Sequence, residues 1–278
     1  MKVAFQGEPG AYSEVAARHL FGPKCQVMPL PQFETVFKAV KNGKAQRAVI
    51  PIENSLAGSI HQNYDLLQQT GLNIISETHL RIEHVLMCGK TGSLKSIKEV
   101  LSHPQALSQC SDFINSKRSL SPIAFYDTAG AAKHIAQKSE CSQAAIASIH
   151  AARLYKLKIL KRNLENNHQN YTRFLGISRS AQSPKKGKLK TSISFAPAKN
   201  ETGILFKMLG IFALRDVNLL KIESRPFPDR AFEYIFYLDL EGSPSDKPVK
   251  NALLHLQEIA AMVKVFGSYP IGKRTYIE

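Results

Sequence analysis

The segment Asn170–Phe174 (Asn-Tyr-Thr-Arg-Phe) carries side chains suited to binding an anion and handling a proton. Arg173 is a permanent cation whose planar set of N–H donors matches the two oxygens of a carboxylate. Thr172 supplies a hydroxyl that can both donate and accept a hydrogen bond. The segment leads into an apolar stretch that is typical of a strand entering a core. This combination predicts anion recognition, and the alternative is a loop arginine held in a surface ion pair.

Polar loops elsewhere in the chain predict one shared pocket. Four short apolar stretches are each followed by such a loop and then by a helical pattern. In α/β sheets, ligands bind beyond the carboxyl ends of the strands, where these loops lie. The alternative is that the serines and Asp127 only cap helices and that the loop glycines only form turns. The loops contain Ser13, Glu53, Asn54, Ser55, Ser59, Ser102, His103, Asp127 and Thr128.

The elements that must position these residues alternate between strand and helix, which predicts an α/β fold with a mostly parallel sheet. Residues 178–190 are polar and basic, contain Pro184 and Gly187, and are interpreted as a linker. Beyond them, strand and helix patterns follow the order βαββαβ of a ferredoxin-like sandwich. This order is compatible with many functions, so the fold alone does not identify one.

The composition favours an ordered, soluble protein. Hydrophobic residues make up 44% of the chain, and no apolar run approaches the roughly 18 residues that predict a membrane helix. The first residues lack the features of a signal peptide. We therefore expect a cytoplasmic protein, or a stromal one if an organellar transit peptide has been removed. The scattered Cys25, Cys88, Cys110 and Cys141 are expected to be free thiols.

The formal net charge of +15 raises the question of nucleic-acid binding. The one dense basic run, residues 185–190, has no interleaved aromatic residues and lies in the predicted linker. We expect a solvated basic surface that helps to attract an anionic substrate, and no nucleic-acid or membrane partner. The nine histidines lack metal-ligand spacing, so no metal site is predicted.

Several longer segments resemble the prephenate dehydratase family, and the likeness spans nearly the entire chain. The Asn-x-Thr-Arg-Phe motif at 170–174 is similar to the family's signature. Residues 223–226, Glu-Ser-Arg-Pro, resemble the ligand motif of the family's C-terminal ACT domain. The remaining matches occur in the family's order at residues 6–13, 51–55, 58–60, 102–110 and 127–132.

The resemblance implies a catalytic domain of two α/β lobes, like a type II periplasmic binding protein, followed by a ferredoxin-like ACT domain. Ligand binding between the lobes is expected to involve hinge closure. The implied bounds are a catalytic domain at 1–180 (lobe one at about 1–78 and 162–180, lobe two at about 79–161), a linker at 181–190, an ACT domain at 191–270 and a tail at 271–278.

The resemblance also implies the reaction: prephenate loses its ring hydroxyl and ring carboxylate to give phenylpyruvate, water and carbon dioxide, without a cofactor. Arg173 is expected to anchor a carboxylate and Thr172 to contact the departing hydroxyl. Either Glu53 or His103 is expected to supply the proton. The implied substrate-binding residues are Ser13, Asn54, Ser55, Ser59, Ser102, Gln109, Thr128 and Phe174.

For the ACT domain, the resemblance implies phenylalanine bound between two copies of the domain, in a homodimer or homotetramer that it inhibits. Glu223 or Arg225 is expected to pair across the subunit boundary. The family often has Gly-Ala-Leu-Val where this chain has Gly203-Ile204-Leu205-Phe206, which leaves the affinity for phenylalanine open. The implied effector residues are Gly203, Ile204, Leu205, Asn218, Leu219, Glu223, Ser224, Arg225 and Pro226.

Two alternatives to prephenate dehydratase stay open. The first is arogenate dehydratase, which performs the same elimination on the transaminated substrate, because segments 212–216 and 251–258 look like those of plant arogenate enzymes and of some bacterial homologues. The second is a non-catalytic small-molecule-binding protein with the same two-lobed fold.

Overall fold

The computed structural model of this chain describes residues 1–138, 140–182, 187–227 and 232–276. The strands are β1 Lys2–Gln6, β2 Gln26–Leu30, β3 Arg47–Asn54, β4 Gly58–Ser59, β5 Asn73–Arg81, β6 Val85–Cys88, β7 Glu99–Ser102, β8 Ser121–Ala124, β9 Gln143–Ala147, β10 Lys158–Lys161, β11 Tyr171–Ser178, β12 Leu189–Pro197, β13 Leu219–Pro226, β14 Tyr234–Glu241, β15 Ala260–Pro270 and β16 Arg274–Thr275. The helices are α1 Tyr12–Phe21, α2 Phe33–Lys41, α3 His61–Thr70, α4 Pro104–Gln109, α5 Ser111–Asn115, α6 Thr128–Lys138, α7 Ile149–Leu154, α8 Ile204–Ala213 and α9 Lys247–Ile259.

The largest sheet has seven strands in the order β16-β5-β11-β3-β1-β2, with β4 paired to β3. Strand β1 runs parallel to both β2 and β3. Its central residues Val3, Ala4 and Phe5 are fully buried. A continuous apolar strand of this kind is expected where helices cover both faces of a parallel sheet.

A five-stranded sheet follows the order β10-β6-β9-β7-β8. Strand β7 is parallel to β8 and β9, whereas β6 is antiparallel to β9 and β10. The predicted parallel arrangement is therefore correct for half of this sheet. Alanines on β9 and α6, among them Ala132 and Ala145, bring the helix close to the sheet and are fully buried.

The third sheet is antiparallel, has the order β13-β14-β12-β15, and shares a core with α8 and α9. Phe195, Phe212 and Leu256 are fully buried in this core. The predicted βαββαβ order is confirmed. Helix α9 ends at Ile259, and the following residues 260–262 belong to β15, which pairs with β12.

The chain divides into two compact units. The first comprises Met1–Ile60, Thr78–Phe174 and the described residues from Lys273 onwards, and the second comprises His61–Glu77 and Leu175–Gly272. The domain bounds inferred from sequence stay a prediction. Residues 183–186 of the predicted linker and 277–278 of the predicted tail lie outside the described residues. Within the described ranges, no helix is long and apolar enough to cross a membrane.

Candidate active site

The first unit contains a cavity of about 220 Å³ whose walls come from both the seven-stranded and the five-stranded sheet regions. Seven residues predicted from the sequence line it: Ser13, Asn54, His103, Gln109, Thr128, Thr172 and Phe174. The other lining residues are Gln6, Tyr12, Pro51, Ile60, Ile82, His84, Gln105 and Ala106.

The starts of three helices bring polar residues to this cavity. His103 caps α4, its Nδ1 accepting from the backbone N–H of Gln105 at 3.3 Å, and Pro104 is the first helical residue. Asp127 caps α6 by accepting from the N–H of Gly130 at 2.8 Å, which agrees with the alternative that this residue caps a helix. The prediction that Ser13 is an N-cap is wrong, because α1 begins at Tyr12 and Ala11 is its N-cap.

Thr172 and Phe174 face the cavity from β11, whereas Arg173 is not among its lining residues. Successive side chains of a strand point to opposite faces of the sheet, so Arg173 lies on the face opposite to Thr172. Arg173 is 6% exposed. The structure therefore places Arg173 outside the lining of the cavity in which it was expected to anchor a substrate carboxylate.

Four other predicted residues also lie outside the lining. Ser102 is fully buried and its hydroxyl donates to the carbonyl of Ile146 at 2.6 Å, so it fixes β7 against β9. The exposed Ser55 hydroxyl donates to the carbonyl of Gln169 at 2.8 Å. Glu53 and Ser59 pair with each other in the β3–β4 ladder. The sequence around Glu53 and Ser59 is typical of a ligand-binding loop, but neither residue lines the cavity.

The Thr172 hydroxyl has a defined partner. It accepts a hydrogen bond from the amide nitrogen of Asn54 at 2.9 Å. Asn54 is held in turn by the backbone N–H groups of Leu56 and Ala57, which donate to its Oδ1 at 3.1 and 2.9 Å. Since one lone pair of the Thr172 oxygen is occupied by an incoming proton, its own proton is directed to a different acceptor.

Three residues at the site, His84, Asn170 and Tyr12, were missed by sequence reasoning. His84 is 2% exposed, and its ring nitrogens lie 3.0 Å from the Tyr12 hydroxyl and 3.0 Å from Gln109 Oε1. Asn170 is fully buried and donates to Gln109 Oε1 at 3.0 Å. Tyr12 and Asn170 lie inside the recognised motifs. His84 has no local signal, because its side-chain partners are distant in sequence.

Burial sets the protonation of this cluster. Burial lowers the pKa of His84, and the nearby carboxylate of Glu165 only partly opposes that shift. Burial likewise raises the pKa of Tyr12 well above its usual value. At neutral pH we therefore expect a neutral imidazole and a neutral phenol. The pKa of Asp127 is raised, first by burial and further by Glu8.

A separate cavity of about 250 Å³ lies in the second unit. Gly203, the N-cap of α8, has a left-handed backbone (φ 76°), which glycine adopts without strain. Of the predicted effector residues, Ile204 and Leu205 line this cavity. Its other lining residues are Ala196, Pro197, Ala198, Asn200, Phe232, Glu233, Tyr234 and Phe236.

The remaining predicted effector residues lie at or on β13. Glu223 contacts His61 at 3.2 Å and Lys221 at 3.3 Å, and Arg225 binds Asp65 at 2.7 Å. In this single chain these partners come from α3 and β13 rather than from a second subunit. Asn218 donates to Glu241 at 3.0 Å, and Leu219, Ser224 and Pro226 pair with β14.

Comparisons with known proteins define the class and the family. A 45% identical relative from Arabidopsis thaliana, named arogenate dehydratase/prephenate dehydratase 2, is covered over 73% of its length by 98% of this chain. The protein is a carbon–oxygen lyase. More particularly, the prephenate dehydratase model matches residues 3–182, and the chain belongs to the prephenate dehydratase family.

Solved structures confirm the fold class. A prephenate dehydratase from Arthrobacter aurescens, described as a complex with L-Phe, has a TM-score of 0.90 at 28% identity, with 98% of this chain and 90% of that chain covered. A protein described as a quorum-quenching acylase has a TM-score of 0.89 at 34% identity, with 97% and 98% covered.

Proposed function

We propose that this protein converts prephenate to phenylpyruvate, water and carbon dioxide. The observation that carries this proposal is the Thr172 hydroxyl, which accepts from Asn54 and has its proton available to a ligand in the cavity. In the elimination, the ring carboxylate leaves as carbon dioxide and its bonding electrons enter the ring. The ring hydroxyl then departs, and it must acquire one proton to leave as water. A hydrogen bond from Thr172 to that oxygen stabilises the charge as it develops.

His103 is the favoured source of the proton, in preference to Glu53. His103 lines the cavity, whereas Glu53 does not. Proton transfer requires the acid to come within hydrogen-bond reach of the leaving oxygen, so position takes priority over pKa. Asn replaces the ring of His103 without an ionisable group and cannot supply a proton, so His103→Asn is expected to lower kcat. An unchanged kcat would exclude this role.

The carboxylates of the substrate are proposed to bind through neutral donors. Ser13 and Thr128 present hydroxyls at the first turns of α1 and α6. The unpaired backbone N–H groups of a helix's first turn attract anions. With Arg173 on the other face of β11, these groups replace it as the expected carboxylate contacts.

Arogenate is the second candidate substrate, because the relatives with 45% and 43% identity are named for both dehydratase activities. The deciding experiment is kcat/KM measured for purified protein with each substrate, since that ratio defines specificity. We expect turnover of both, with prephenate preferred and without an added cofactor. A higher kcat/KM for arogenate would reverse the assignment, and no turnover of either would refute it.

An acylase activity is less well supported by the geometry. A hydroxyl nucleophile requires a neighbouring base that removes its proton. The Thr172 hydroxyl accepts from the amide N–H of Asn54, which is a donor and cannot act in this way. Elimination uses the hydroxyl as a donor, as this contact allows.

We also propose that phenylalanine inhibits the enzyme through a C-terminal ACT domain at about residues 191–270, in a homodimer or homotetramer. The support is the antiparallel βαββαβ sheet and the cavity beside Gly203, together with the relative that was solved with L-Phe. We propose the cytoplasm as its compartment, or the stroma of a plastid, since several relatives are named chloroplastic.

A further inference from the structure

Five polar side chains of the first unit form one hydrogen-bonded chain beside the cavity, in the order Asn54, Asn170, Gln109, His84 and Tyr12. Asn54, Asn170 and His84 are at most 7% exposed. In such an environment each donor must meet an acceptor, because water is not at hand to compensate an unmatched pair. The direction of every bond in the chain is therefore linked to that of the next.

The backbone fixes the direction of the first hydrogen bonds, which are those of the Asn54 side chain. Oδ1 of Asn54 accepts from the N–H groups of Leu56 and Ala57, which can only donate. The other end of this amide must then be the NH2 group, which points to Asn170 Oδ1 at 2.8 Å and to Thr172 Oγ1 at 2.9 Å. The usual ambiguity between the nitrogen and oxygen of an amide does not arise at this position.

The direction of the next hydrogen bond, between Asn170 and Gln109, follows from the first. Since Asn170 Oδ1 accepts from Asn54, the NH2 group of Asn170 is the end that faces Gln109, at 3.0 Å. The atom of Gln109 that receives it must be Oε1. That same oxygen lies 3.0 Å from Nε2 of His84, so His84 must carry a proton on Nε2. Both lone pairs of Gln109 Oε1 are thereby occupied.

The far end of the chain is consistent with this tautomer. With Nε2 protonated, the Nδ1 of a neutral His84 is an acceptor, and the Tyr12 hydroxyl lies 3.0 Å from it. The same hydroxyl lies 2.7 Å from the carbonyl of Glu83. The Tyr12 proton can be shared between these two acceptors, and neither arrangement reverses the bond at Gln109.

We propose that Asn170 and His84 are positioning residues that hold the amide nitrogen of Gln109 as a donor to a substrate carboxylate. Gln109 lines the cavity, and with its oxygen taken by two neighbours it presents NH2 to the ligand. The same series of hydrogen bonds directs the Thr172 proton into the cavity. The identity of the ligand rests on the proposed function, but the direction of the bonds does not.

The direct test is the tautomer of His84, read from ¹⁵N chemical shifts of the imidazole in the full-length protein. A proton on Nε2, with or without one on Nδ1, supports the proposal. A neutral ring protonated only on Nδ1 overturns it. This outcome does not depend on which substrate is used, so it separates failure of the proposal from failure of the proposed function.

The variant Asn170→Asp tests the linkage between the residues. An aspartate can only accept from Gln109, so the glutamine amide is expected to rotate and the His84 proton to move to Nδ1. Asn167→Asp is the matched control. Asn167 is exposed in the same loop, and its Oδ1 accepts from the N–H of Gln169 at 2.8 Å, a bond that aspartate keeps. If Asn170→Asp folds and leaves the tautomer unchanged, the two residues are not linked as proposed.

Kinetics test the consequence for the ligand. Gln109→Glu keeps both acceptor contacts but replaces the NH2 donor by a carboxylate oxygen. We expect KM for the dehydratase substrate to rise about 10- to 100-fold, as for loss of a hydrogen bond to a charged group, with a smaller change in kcat. An unchanged KM would show that Gln109 does not donate to the substrate.

Discussion

At the scale of single residues, the site depends on hydrogen-bond direction more than on charge. Thr172, Asn54 and Gln109 are neutral, and each direction follows from contacts at 2.8–3.1 Å that begin at two backbone N–H groups. Neutral donors that are held in place stabilise developing charge without having to reorganise. Neutral donors can therefore stabilise the oxygen that gains negative charge, while the proton that this oxygen must acquire is assigned to His103.

Thr172→Ala should lower kcat about 100- to 1,000-fold, the loss typical when one preorganised donor is removed. Thr172→Ser keeps the hydroxyl and should retain most of the activity. Steady-state kinetics on both variants separates the roles, because a group that acts in the transition state changes kcat. If Thr172→Ala raises KM and leaves kcat intact, Thr172 only binds the substrate.

Sequence patterns predicted Thr172, Asn54 and Gln109 as site residues, but they did not predict which side of a strand faces the cavity. Alternation along β11 places Thr172 and Arg173 on opposite sides, yet nothing in the five-residue motif says which side is the cavity. Ser102 resembles a ligand residue in sequence, and only the carbonyl of Ile146 above it shows that its role is structural. His84 could not be found, because its partners are brought together by folding and not by local spacing.

At the scale of elements, the loop from β1 to α1 packs closely against α7. Gly10 has φ 97°, its carbonyl accepts from the Ser148 hydroxyl at 2.7 Å, and an added Cβ would lie 3.0 Å from both Cα and Cβ of Ala151. The strand–loop–helix pattern predicted a turn at this glycine. The pattern could not predict that α7 approaches Gly10 closely, which is a second reason why this position requires glycine.

Gly10→Ala should therefore destabilise the protein more than Gly22→Ala. Gly22 has a similar φ of 91° but no atom within 4 Å of an added Cβ, so it reports backbone strain alone. We expect a cost of about 1–3 kcal/mol for strain at either site and about 1–3 kcal/mol more at Gly10 from overpacking. Urea unfolding of both variants gives the difference, and equal losses would show that the contact with Ala151 relaxes freely.

Because of Glu14 on α1, the stability of this part of the protein depends on pH. Burial acts to raise its pKa, but hydrogen bonds from His150, the Gly10 N–H and Arg18 prevail and lower it from 4.5 to about 2. A carboxylate with a lowered pKa contributes stability above its unfolded pKa, and this contribution is lost as pH falls from about 4.5 towards 2. Glu14→Gln should be less stable at pH 7, and its unfolding free energy should fall less steeply over that range. Parallel slopes for both proteins would contradict the assignment.

At the scale of the whole molecule, the candidate active-site cavity lies in one unit and a second cavity lies in the other. The order of elements was predictable, because the change from α/β alternation to βαββαβ is visible in the hydrophobic pattern. The pairing of Glu223 and Arg225 was not, since their partners His61, Asp65 and Lys221 include residues more than 150 positions away.

The second cavity gives the test of regulation. If phenylalanine binds beside α8, Leu205→Ala should weaken inhibition by phenylalanine about tenfold or more, because a lining side chain contributes roughly 1–3 kcal/mol to binding an apolar group. Leu254→Ala on α9 is the matched control, because Leu254 is 51% exposed and does not line the cavity.

Inhibition curves should be measured alongside light scattering, since an effector that favours one quaternary state must itself bind that state more tightly. Equal inhibition of both variants would place the effector elsewhere, and inhibition without any change in assembly would separate regulation from oligomerisation.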